Sequence, residues 1–369
     1  MTRVTALRLA FGWGTVALFL LAGPAIFAAA GPGLGSLAVF LWLLGAIMWS
    51  AFGVVHEADE LAEMLGEPLG TLILTLSIVL IEVALISAVM LGAAEPTLGR
   101  DTMFAVLMIV LNGVVGLALL LGGWPYRVQS YNFQGATSFL AVILPLTVIA
   151  LILPNFTRST AGGTLSHGQE IAFSLFTLAL YGTFLALQTG SHRDFFVLPD
   201  EGEVETAATP PATHARPTKA SVLSHTALLL VSVLPVVLLA KQLAKVLDGG
   251  IKALHAPPAL GGVLIAMIVF TPEAIAAMRA ISLNKLQRTV NLCLGAAAST
   301  IGLTVPAIIA ISLVTGQNIV LGLDPAEMVL LVLTLVLNLL TFTSKRTTAL
   351  HGAMHLVVFC VYVTLIFNP

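Results

Sequence analysis

Long apolar runs dominate this chain and limit what it can fold into. Of its 369 residues, 58% are hydrophobic and 9% are charged, whereas a soluble globular protein carries about 25% charged residues. Eleven runs are each long enough to cross a bilayer as a helix. Lipid cannot hydrogen-bond the backbone and the runs lack strand-like alternation, so we expect an all-α polytopic membrane protein. The predicted spans are 11–30, 35–55, 69–92, 102–122, 136–153, 170–189, 225–247, 259–280, 287–313, 325–342 and 349–367.

A hydrophilic stretch divides these runs into groups. Residues 190–224 contain four prolines and an acidic cluster, with few apolar residues, which is typical of a flexible linker. The chain is therefore predicted to have an uncleaved N-terminal transmembrane helix in 1–34, five helices in 35–189, and five more in 225–369. Because five is odd, successive five-helix groups must enter the membrane with opposite topology, which is the condition for an inverted repeat.

The distribution of basic residues predicts the orientation. With the N-terminus in the cytoplasm, eleven Lys and Arg residues fall on the inner side and five on the outer side. Cytoplasmic loops carry an excess of these residues. We therefore expect a cytoplasmic N-terminus, a cytoplasmic linker and a C-terminus on the outer side.

Two of the apolar runs repeat each other around one glutamate. A Leu-Gly pair at 69–70 is followed by Glu82, twelve residues after the glycine, and a Leu-Gly pair at 260–261 is followed at the same distance by Glu273. A carboxylate in the middle of a membrane helix is costly and indicates a functional site. Two of them in matching halves predict a transporter whose ion site is shared by the repeats.

Amide and hydroxyl side chains accompany the two glutamates. Each glutamate run is followed by a run with a lone asparagine and a glycine four residues later: Asn112 with Gly116, and Asn291 with Gly295. The residues 7 and 11 positions before Glu82 share its helix face and are threonines. Hydrogen bonding between helices is the alternative role for these polar side chains. The candidate cation and proton ligands are Glu82, Glu273, Asn112, Asn291, Thr71, Thr75, Ser77, Thr271 and Ser299.

Oxygen atoms are the ligands that these residues have in common, and oxygen ligands favour Ca²⁺ over soft metals. In the second copy Pro272 precedes the carboxylate and is expected to free the carbonyl of Ile268. One divalent cation neutralises two carboxylates, and when no cation is bound, burial and mutual repulsion favour their protonation. Ca²⁺ and protons then compete for the same groups, which is a physical basis for antiport.

Two further groups of titratable residues are candidates for regulation. The stretch 56–67 contains five acidic residues and no Lys or Arg, and it precedes the first glutamate helix on the predicted inner side. It could attract cations to the cytoplasmic mouth, or it could be a short solvated helix on the membrane surface. The candidate regulatory residues are His56, Glu57, Glu60 and Glu63.

Two histidines share one face of the last span. His351 and His355 are four residues apart, so they could bind a metal or sense pH, or they could be interfacial or hydrogen-bonded residues. The glutamate of a zinc-hydrolase motif is missing between them.

Several longer motifs carry a resemblance to a known family. They are the run 66–77 followed by Ile81-Glu82-Val83, the runs 100–106 and 111–116, the Thr271-Pro272-Glu273 triplet, and the runs 287–295 and 300–306. Together they resemble the bacterial ChaA-type calcium/proton antiporters of the cation/Ca²⁺ exchanger superfamily, and the resemblance covers nearly the whole chain except 190–224.

The resemblance implies ten core helices in two inverted five-helix repeats, with one additional N-terminal helix. It also implies that Glu82 and Glu273 are the ion- and proton-binding carboxylates and that their helices meet near the membrane midplane. The chain departs from the wider superfamily in the first copy, where Leu76-Ser77-Ile78 stands in place of a Gly-Asn pair. Because members with Na⁺/H⁺ or K⁺/H⁺ exchange are included in the family, the cation does not follow from the resemblance.

These observations predict a secondary-active antiporter that exchanges Ca²⁺ for H⁺ across a bacterial cytoplasmic membrane by alternating access. The proton gradient drives such a protein, so we expect no cofactor, no nucleotide and no enzymatic activity. The expected partners are inorganic cations, protons and the lipid bilayer, and no basic patch indicates nucleic acid. The alternatives are a Na⁺/H⁺ or K⁺/H⁺ antiporter of the same fold and, from another class, an intramembrane metalloenzyme.

Overall fold

The computed structural model describes residues 3–66, 69–90, 96–197, 219–257, 259–344 and 346–368. In these ranges the chain is almost entirely helical, and apolar composition is the reason, because a helix satisfies every backbone group within one segment. The α-helices are α1 (Arg3–Ala30), α2 (Ser36–Leu65), α3 (Leu69–Met90), α4 (Leu98–Met108), α5 (Val115–Tyr126), α6 (Phe133–Thr147), α7 (His167–Thr189), α8 (Lys219–Ala253), α9 (Ala259–Ser282), α10 (Leu286–Ser299), α11 (Val305–Thr315), α12 (Pro325–Thr343) and α13 (Ala349–Phe367).

Short π- and 3₁₀-helical segments interrupt or extend these helices. In a π-helix the backbone hydrogen bonds join residues five apart instead of four, and such segments occur frequently at functional sites. The π-helices are Gly31–Gly35, Ile109–Val114, Val148–Ile152 and Thr300–Thr304, and the 3₁₀-helices are Leu153–Phe156 and Arg193–Phe196. The segment Ile109–Val114 joins α4 to α5, and Thr300–Thr304 joins α10 to α11, so each pair forms one long helix.

The fold class predicted from the sequence is confirmed. Within the described residues, 10 helical stretches are long and apolar enough to cross a membrane, and their bounds lie close to the predicted spans. The largest difference is at the second span, which was predicted to end at residue 55, whereas α2 continues to Leu65. The added residues are mainly Ala, Leu, Glu and Met, which are strong helix formers. The acidic stretch is therefore the last part of α2 and not a separate surface helix.

Local capping chemistry sets several helix ends. Glycine ends α2 at Gly66 and α11 at Gly316, with φ of 64° and 69° respectively, a left-handed φ that glycine adopts without steric cost. Capping boxes begin α7 at Ser166, α12 at Asp324 and α13 at Thr348. In each, the side chain of the capping residue bonds to the backbone N–H three residues later, and the side chain of that later residue bonds to the backbone N–H of the capping residue.

The chain divides into two compact units, and each contains helices from both predicted repeats. The first unit comprises Met1–Leu98 and Ala215–Val269. In it, α2 packs against α1, α3 and α8, and α8 also contacts α1 and α3. The division of the sequence into repeats at 35–189 and 225–369 stays a prediction.

The second unit comprises Gly99–His214 and Phe270–Pro369. Here α5 packs against α13, α10 packs against α6 and the π-helix Ile109–Val114, α11 packs against α7, and α12 packs against α6 and α13. The buried core between these helices is largely Leu, Ile, Val, Ala and Phe.

A small antiparallel ribbon closes one end of the second unit. Strand β1 (Gln129–Ser130) pairs with β2 (Arg346–Thr347), with Gln129 opposite Thr347. Beside it the Tyr131 hydroxyl donates a hydrogen bond to the carbonyl of Ser344 at 2.5 Å, and the carbonyl of Thr341 lies 3.3 Å from the same oxygen. Burial raises the pKa of Tyr131 to about 12, so its hydroxyl remains a donor at any physiological pH.

Candidate functional site

Glu82 is a buried carboxylate in the first unit. It lies in α3 and is 3% exposed, and the surrounding residues Val79, Ile81, Leu85 and Ile86 are also buried. Burying an acidic side chain among aliphatic ones costs several kcal/mol unless a charge or hydrogen bond compensates. Packing alone would favour an aliphatic residue at position 82, so the glutamate there indicates a role other than packing.

Glu273 is the corresponding carboxylate in the second unit. It lies in α9, is 6% exposed, and stands within electrostatic range of the buried Cys293 thiol on α10. The hydroxyl of Thr289 donates a hydrogen bond to the carbonyl of Ala277 at 3.1 Å, which sets the register between α9 and α10. Residue 293 of α10 then lies beside Glu273. The helix α9 runs continuously from Ala259 to Ser282 with Pro272 inside it, so Pro272 does not interrupt the helix, and the freed carbonyl of Ile268 stays a prediction.

The two glutamates occupy the same depth in their helices. Glu82 is the 14th of 22 residues in α3, and Glu273 is the 15th of 24 in α9. At about 1.5 Å of rise per residue, each lies about 20 Å from the start of its helix and about 12–14 Å from its end. The repeat detected in the sequence therefore has a counterpart in helix length and carboxylate position.

Asn112 is fully buried in a network between helices of the second unit. It lies in the π-helix Ile109–Val114, and its Nδ2 donates a hydrogen bond to the Thr334 hydroxyl of α12 at 2.8 Å. Its Oδ1 lies 3.2 Å from Nδ1 of His355 on α13. The interhelical bonding that we considered as an alternative is thus present, and the role of Asn112 as a cation ligand stays a prediction.

Asn291 has a different environment from Asn112. It is half-buried in the regular part of α10, and its Nδ2 donates a hydrogen bond to the carbonyl of Phe196 at 2.7 Å. Its Oδ1 accepts a hydrogen bond from Gln287 Nε2 at 2.9 Å, and Gln287 Oε1 accepts one from the Asn132 backbone N–H at 2.6 Å. The nitrogen and the oxygen of the Asn291 amide therefore each have a hydrogen-bond partner.

The start of the predicted linker takes part in this arrangement. Residues Arg193–Phe196 form a 3₁₀-helix, and Phe196 is buried against Phe139 and Phe184, with ring centroids 5.1 and 6.0 Å away. The expectation of a flexible linker from residue 190 onward is therefore wrong for these residues, because the aromatic side chains of Phe195 and Phe196 provide apolar surface that packs. Most of the predicted linker, residues 198–218, lies outside the described residues.

The remaining candidate ligands are smaller hydroxyl residues. Ser77 is buried in α3, Thr271 is half-buried in α9, and Ser299 is buried and donates a hydrogen bond to the carbonyl of Ala296 at 3.0 Å. Ser299 directly precedes the π-helix Thr300–Thr304. The side chains of Thr71 and Thr75 lie outside the described ones, so their predicted ligand role has no structural description.

The acidic end of α2 is less uniform than the sequence indicated. Glu57 is 2% exposed and its carboxylate accepts a hydrogen bond from Nδ1 of His225 on α8 at 2.7 Å, while Arg8 of α1 lies close enough to interact with the same charge. His56 and Glu63 are exposed and Glu60 is half-buried. Glu57 is therefore part of a contact between three helices, whereas its exposed neighbours face outward.

Arg100 is buried in an ion-pair cluster of the second unit. Its Nε lies 2.8 Å from Asp101 Oδ1, its Nη1 donates a hydrogen bond to the carbonyl of Gly322 at 2.8 Å, and its Nη2 lies 3.5 Å from Asp324. Arg100 is 7% exposed. Its acidic partners and a backbone carbonyl compensate the burial of its charge.

Several residues bonded to the two predicted asparagine ligands were not identified as site residues from the sequence. Gln287 and Phe196 bond to Asn291, and Thr334 and His355 bond to Asn112. The spacing of His351 and His355 suggested a shared role, but the two side chains have different partners. His351 Nδ1 accepts a hydrogen bond from the Thr348 backbone N–H at 3.2 Å, whereas His355 bonds to Asn112 and Thr341. In the described part of the chain, no three His, Cys, Asp or Glu residues are grouped to hold a metal ion.

Comparison with known proteins identifies the family. The profile of the sodium/calcium exchanger protein family matches residues 35–190 and 224–368. Among solved structures, native YfkE superimposes with a TM-score of 0.72 at 16% identity, covering 99% of this chain and 100% of that one. The H⁺/Ca²⁺ exchanger CAX superimposes with a TM-score of 0.69 at 15% identity, covering 98% of this chain and 89% of that one.

Relatives of known sequence extend over the same length. The sodium-potassium/proton antiporter ChaA of Escherichia coli (strain K12) is 39% identical over 332 residues, which is 90% of this chain and 89% of that protein. The Ca²⁺/H⁺ antiporter of Synechocystis sp. is 24% identical over 353 residues, 89% of this chain and 84% of that protein. The profile match and the 39% identity agree with the motifs around Glu82 and Glu273: the chain belongs to the sodium/calcium exchanger family, within the cation/Ca²⁺ exchanger superfamily.

Proposed function

We propose that the protein is a secondary-active antiporter that exchanges Ca²⁺ for H⁺ across a bacterial cytoplasmic membrane. The observation that carries this proposal is the pair of buried glutamates, Glu82 and Glu273, at matching depth in α3 and α9 of an exchanger-family chain. The sequence repeat supports the further step that both carboxylates serve one transported ion. Alternating access then moves this ion and the protons by the same pathway.

Charge balance is the physical reason for exchange. Two buried carboxylates are neutral when both are protonated or when one Ca²⁺ replaces two protons. The empty, doubly charged state is costly in a membrane, so a carrier that reorients in its neutral states moves Ca²⁺ one way and protons the other. The amides of Asn112 and Asn291 and the hydroxyls of Ser77, Thr271 and Ser299 are the proposed neutral oxygen ligands, with Thr71 and Thr75 added from the sequence.

The proposed orientation follows the basic residues. With the N-terminus in the cytoplasm, the acidic end of α2 and the linker lie on the inner side and the C-terminus on the outer side. Ca²⁺ would then leave the cell as protons enter down their gradient. A single cysteine introduced at an exposed terminal position and labelled with a membrane-impermeant reagent tests this orientation.

The test of function is ion flux in proteoliposomes with an imposed pH gradient. The purified full-length chain is reconstituted with an internal pH dye and a Ca²⁺ indicator. We expect Ca²⁺ movement that requires the pH gradient and a matching proton movement in the opposite direction. Ca²⁺ flux that is independent of the pH gradient would contradict antiport and indicate a channel.

A monovalent cation is the second candidate substrate, because the 39%-identical relative is named a sodium-potassium/proton antiporter. A monovalent ion leaves one of the two carboxylates to be neutralised by a proton, so each transported Na⁺ or K⁺ displaces one proton and not two. Adding Na⁺ or K⁺ to the same vesicles, alone and in competition with Ca²⁺, separates the candidates. A proton signal with Na⁺ or K⁺ and none with Ca²⁺ would retain the antiporter and change its substrate.

A further inference from the structure

A cluster of polar side chains lies completely buried next to the π-helix Ile109–Val114. Asn112, Thr334, Asn338, Thr341 and His355 each have 0% exposed surface. They come from the π-helix, α12 and α13, all within the second unit. Polar groups in a membrane interior are stabilised by bonding to one another. Side-chain hydrogen bonds join four of the five, Asn112, Thr334, Thr341 and His355, and we name these four residues the Asn112 network.

The hydrogen bonds of the network have defined directions. The Thr334 hydroxyl donates to Met108 Sδ at 3.4 Å, so it accepts the hydrogen bond from Asn112 Nδ2 at 2.8 Å. The Asn112 amide is thereby oriented with Oδ1 toward His355, whose Nδ1 lies 3.2 Å away. An amide oxygen is an acceptor, so His355 Nδ1 carries the hydrogen. The Thr341 hydroxyl, 3.0 Å from Nε2, then donates to the other ring nitrogen. One neutral tautomer satisfies both contacts.

His355 also contacts the backbone of the π-helix. The backbone of Leu111, the residue directly before Asn112, lies close enough to the His355 ring to interact with it. One turn later Gly116 permits the close approach of α13, because a Cβ at Gly116 would lie 2.9 Å from His355 Cβ. His355 therefore packs closely against this part of the helix and bonds to the Asn112 side chain.

We propose that His355 is a positioning residue for cation binding at Asn112. This inference rests on the proposed function, in which Asn112 Oδ1 is a cation ligand. An amide oxygen has two lone pairs, and His355 occupies one of them, leaving the second available at a fixed direction. Donation from Nδ2 to Thr334 polarises the same amide and strengthens its oxygen as a ligand. Outer-sphere partners of this kind typically change cation affinity or activity by about 10–100-fold when removed.

His351 provides a matched control. It lies four residues before His355 on α13, and its Nδ1 contacts the Thr348 backbone N–H and hydroxyl at 3.2 and 3.1 Å, as part of the helix cap. Glutamine at this position preserves an acceptor for the cap. His351→Gln is therefore a histidine substitution on the same helix that leaves the Asn112 network intact.

The experiment is a double-mutant cycle on the full-length protein in proteoliposomes, with KM and kcat measured for Ca²⁺-dependent proton movement. We expect His355→Phe to raise KM for Ca²⁺ by about tenfold or more, with a smaller change in kcat. His355→Asn, whose amide nitrogen replaces the ring Nδ1–H, should recover most of this loss. In an Asn112→Ser background, His355→Phe should leave KM unchanged within twofold, because the group that it positions is gone. His351→Gln should match wild type.

The outcomes separate this inference from the proposed function. An unchanged KM in His355→Phe, or the same increase with and without Asn112, would refute the positioning role while exchange persists. No flux of Ca²⁺, Na⁺ or K⁺ by the wild type would refute the proposed function and this role with it. If His355→Phe does not fold, Thr341→Val replaces it in the cycle, because it removes the hydroxyl that orients the ring. For a folded variant without flux, the Ca²⁺ Kd from titration calorimetry replaces KM.

Discussion

The segment 193–197, which anchors the start of the predicted linker through the buried Phe196, gives a prediction that can be worked out in detail. Asn132 Nδ2 donates hydrogen bonds to the carbonyls of Asp194 and Val197, both at 3.0 Å, and its Oδ1 accepts one from the Gln134 backbone N–H as the cap of α6. Asn132→Asp keeps the capping oxygen and removes both donors. The change should therefore loosen the segment 193–197 without removing the helix cap.

The magnitude follows from the two lost hydrogen bonds. Each is worth about 1 kcal/mol net, and a carboxylate placed against two carbonyl oxygens adds about 1 kcal/mol of repulsion. A total of about 2–3 kcal/mol corresponds to a 30- to 150-fold larger population of the open segment, since about 1.4 kcal/mol is a factor of ten. Opening also removes the Phe196 carbonyl from Asn291 Nδ2, so the predicted ligand would be released.

Limited trypsin digestion measures this opening at Arg193, which is exposed and directly precedes the anchored residues. When opening and closing are fast, the cleavage rate follows the open population. We expect faster cleavage at Arg193, identified by the mass of the N-terminal fragment, and a smaller increase for Asn132→Ser, which lacks the carboxylate. Asn155→Asp is the matched control, because Asn155 Nδ2 donates to the Leu323 carbonyl elsewhere in the unit. A rate at Arg193 that changes less than threefold in Asn132→Asp would refute the reasoning.

Two further predictions concern packing and buried charge. Gly116→Ala should lower the free energy of unfolding by about 1–3 kcal/mol, because the added Cβ would lie 2.9 Å from His355 Cβ. Gly14→Ala is the control in the same fluorescence melting assay, because a Cβ at Gly14 would meet nothing within 4 Å. Equal melting temperatures for the two variants would contradict the close approach. Glu57→Gln should destabilise the first unit by about 1–3 kcal/mol through loss of a buried charge-assisted hydrogen bond, whereas the exposed Glu63→Gln should have little effect, and equal Tm values would count against a structural role for Glu57.

The sequence was sufficient to predict the fold class and the helices. Apolar runs predict the membrane-spanning helices, because a backbone in lipid must form all its hydrogen bonds internally. The extension of α2 to Leu65 was missed because hydropathy detects membrane residence, whereas good helix formers continue the helix beyond it. Glu82 and Glu273 are predicted as site residues because a lone carboxylate in an apolar run has no inexpensive structural role.

The partners of the predicted ligands could not be found in this way. Asn112 bonds to Thr334 and His355, which are 222 and 243 residues later in the chain. Glu57 bonds to His225, 168 residues away. Such contacts depend on which helix faces pack together, and no local pattern encodes that. The π-helix around Asn112 was also missed, because it leaves no signature in residue composition.

The central claim is that two buried glutamates exchange protons for a cation. Its most direct test is proton-coupled Ca²⁺ flux in proteoliposomes for Glu82→Gln and Glu273→Gln, with Glu170→Gln as control, since Glu170 is a buried glutamate that interacts with His167 in α7. Glutamine keeps the side-chain size and removes the titratable charge. The account predicts loss of exchange in the first two variants, each folded and monodisperse, and near wild-type exchange in the third. Exchange at the wild-type rate in both Glu82→Gln and Glu273→Gln would contradict it.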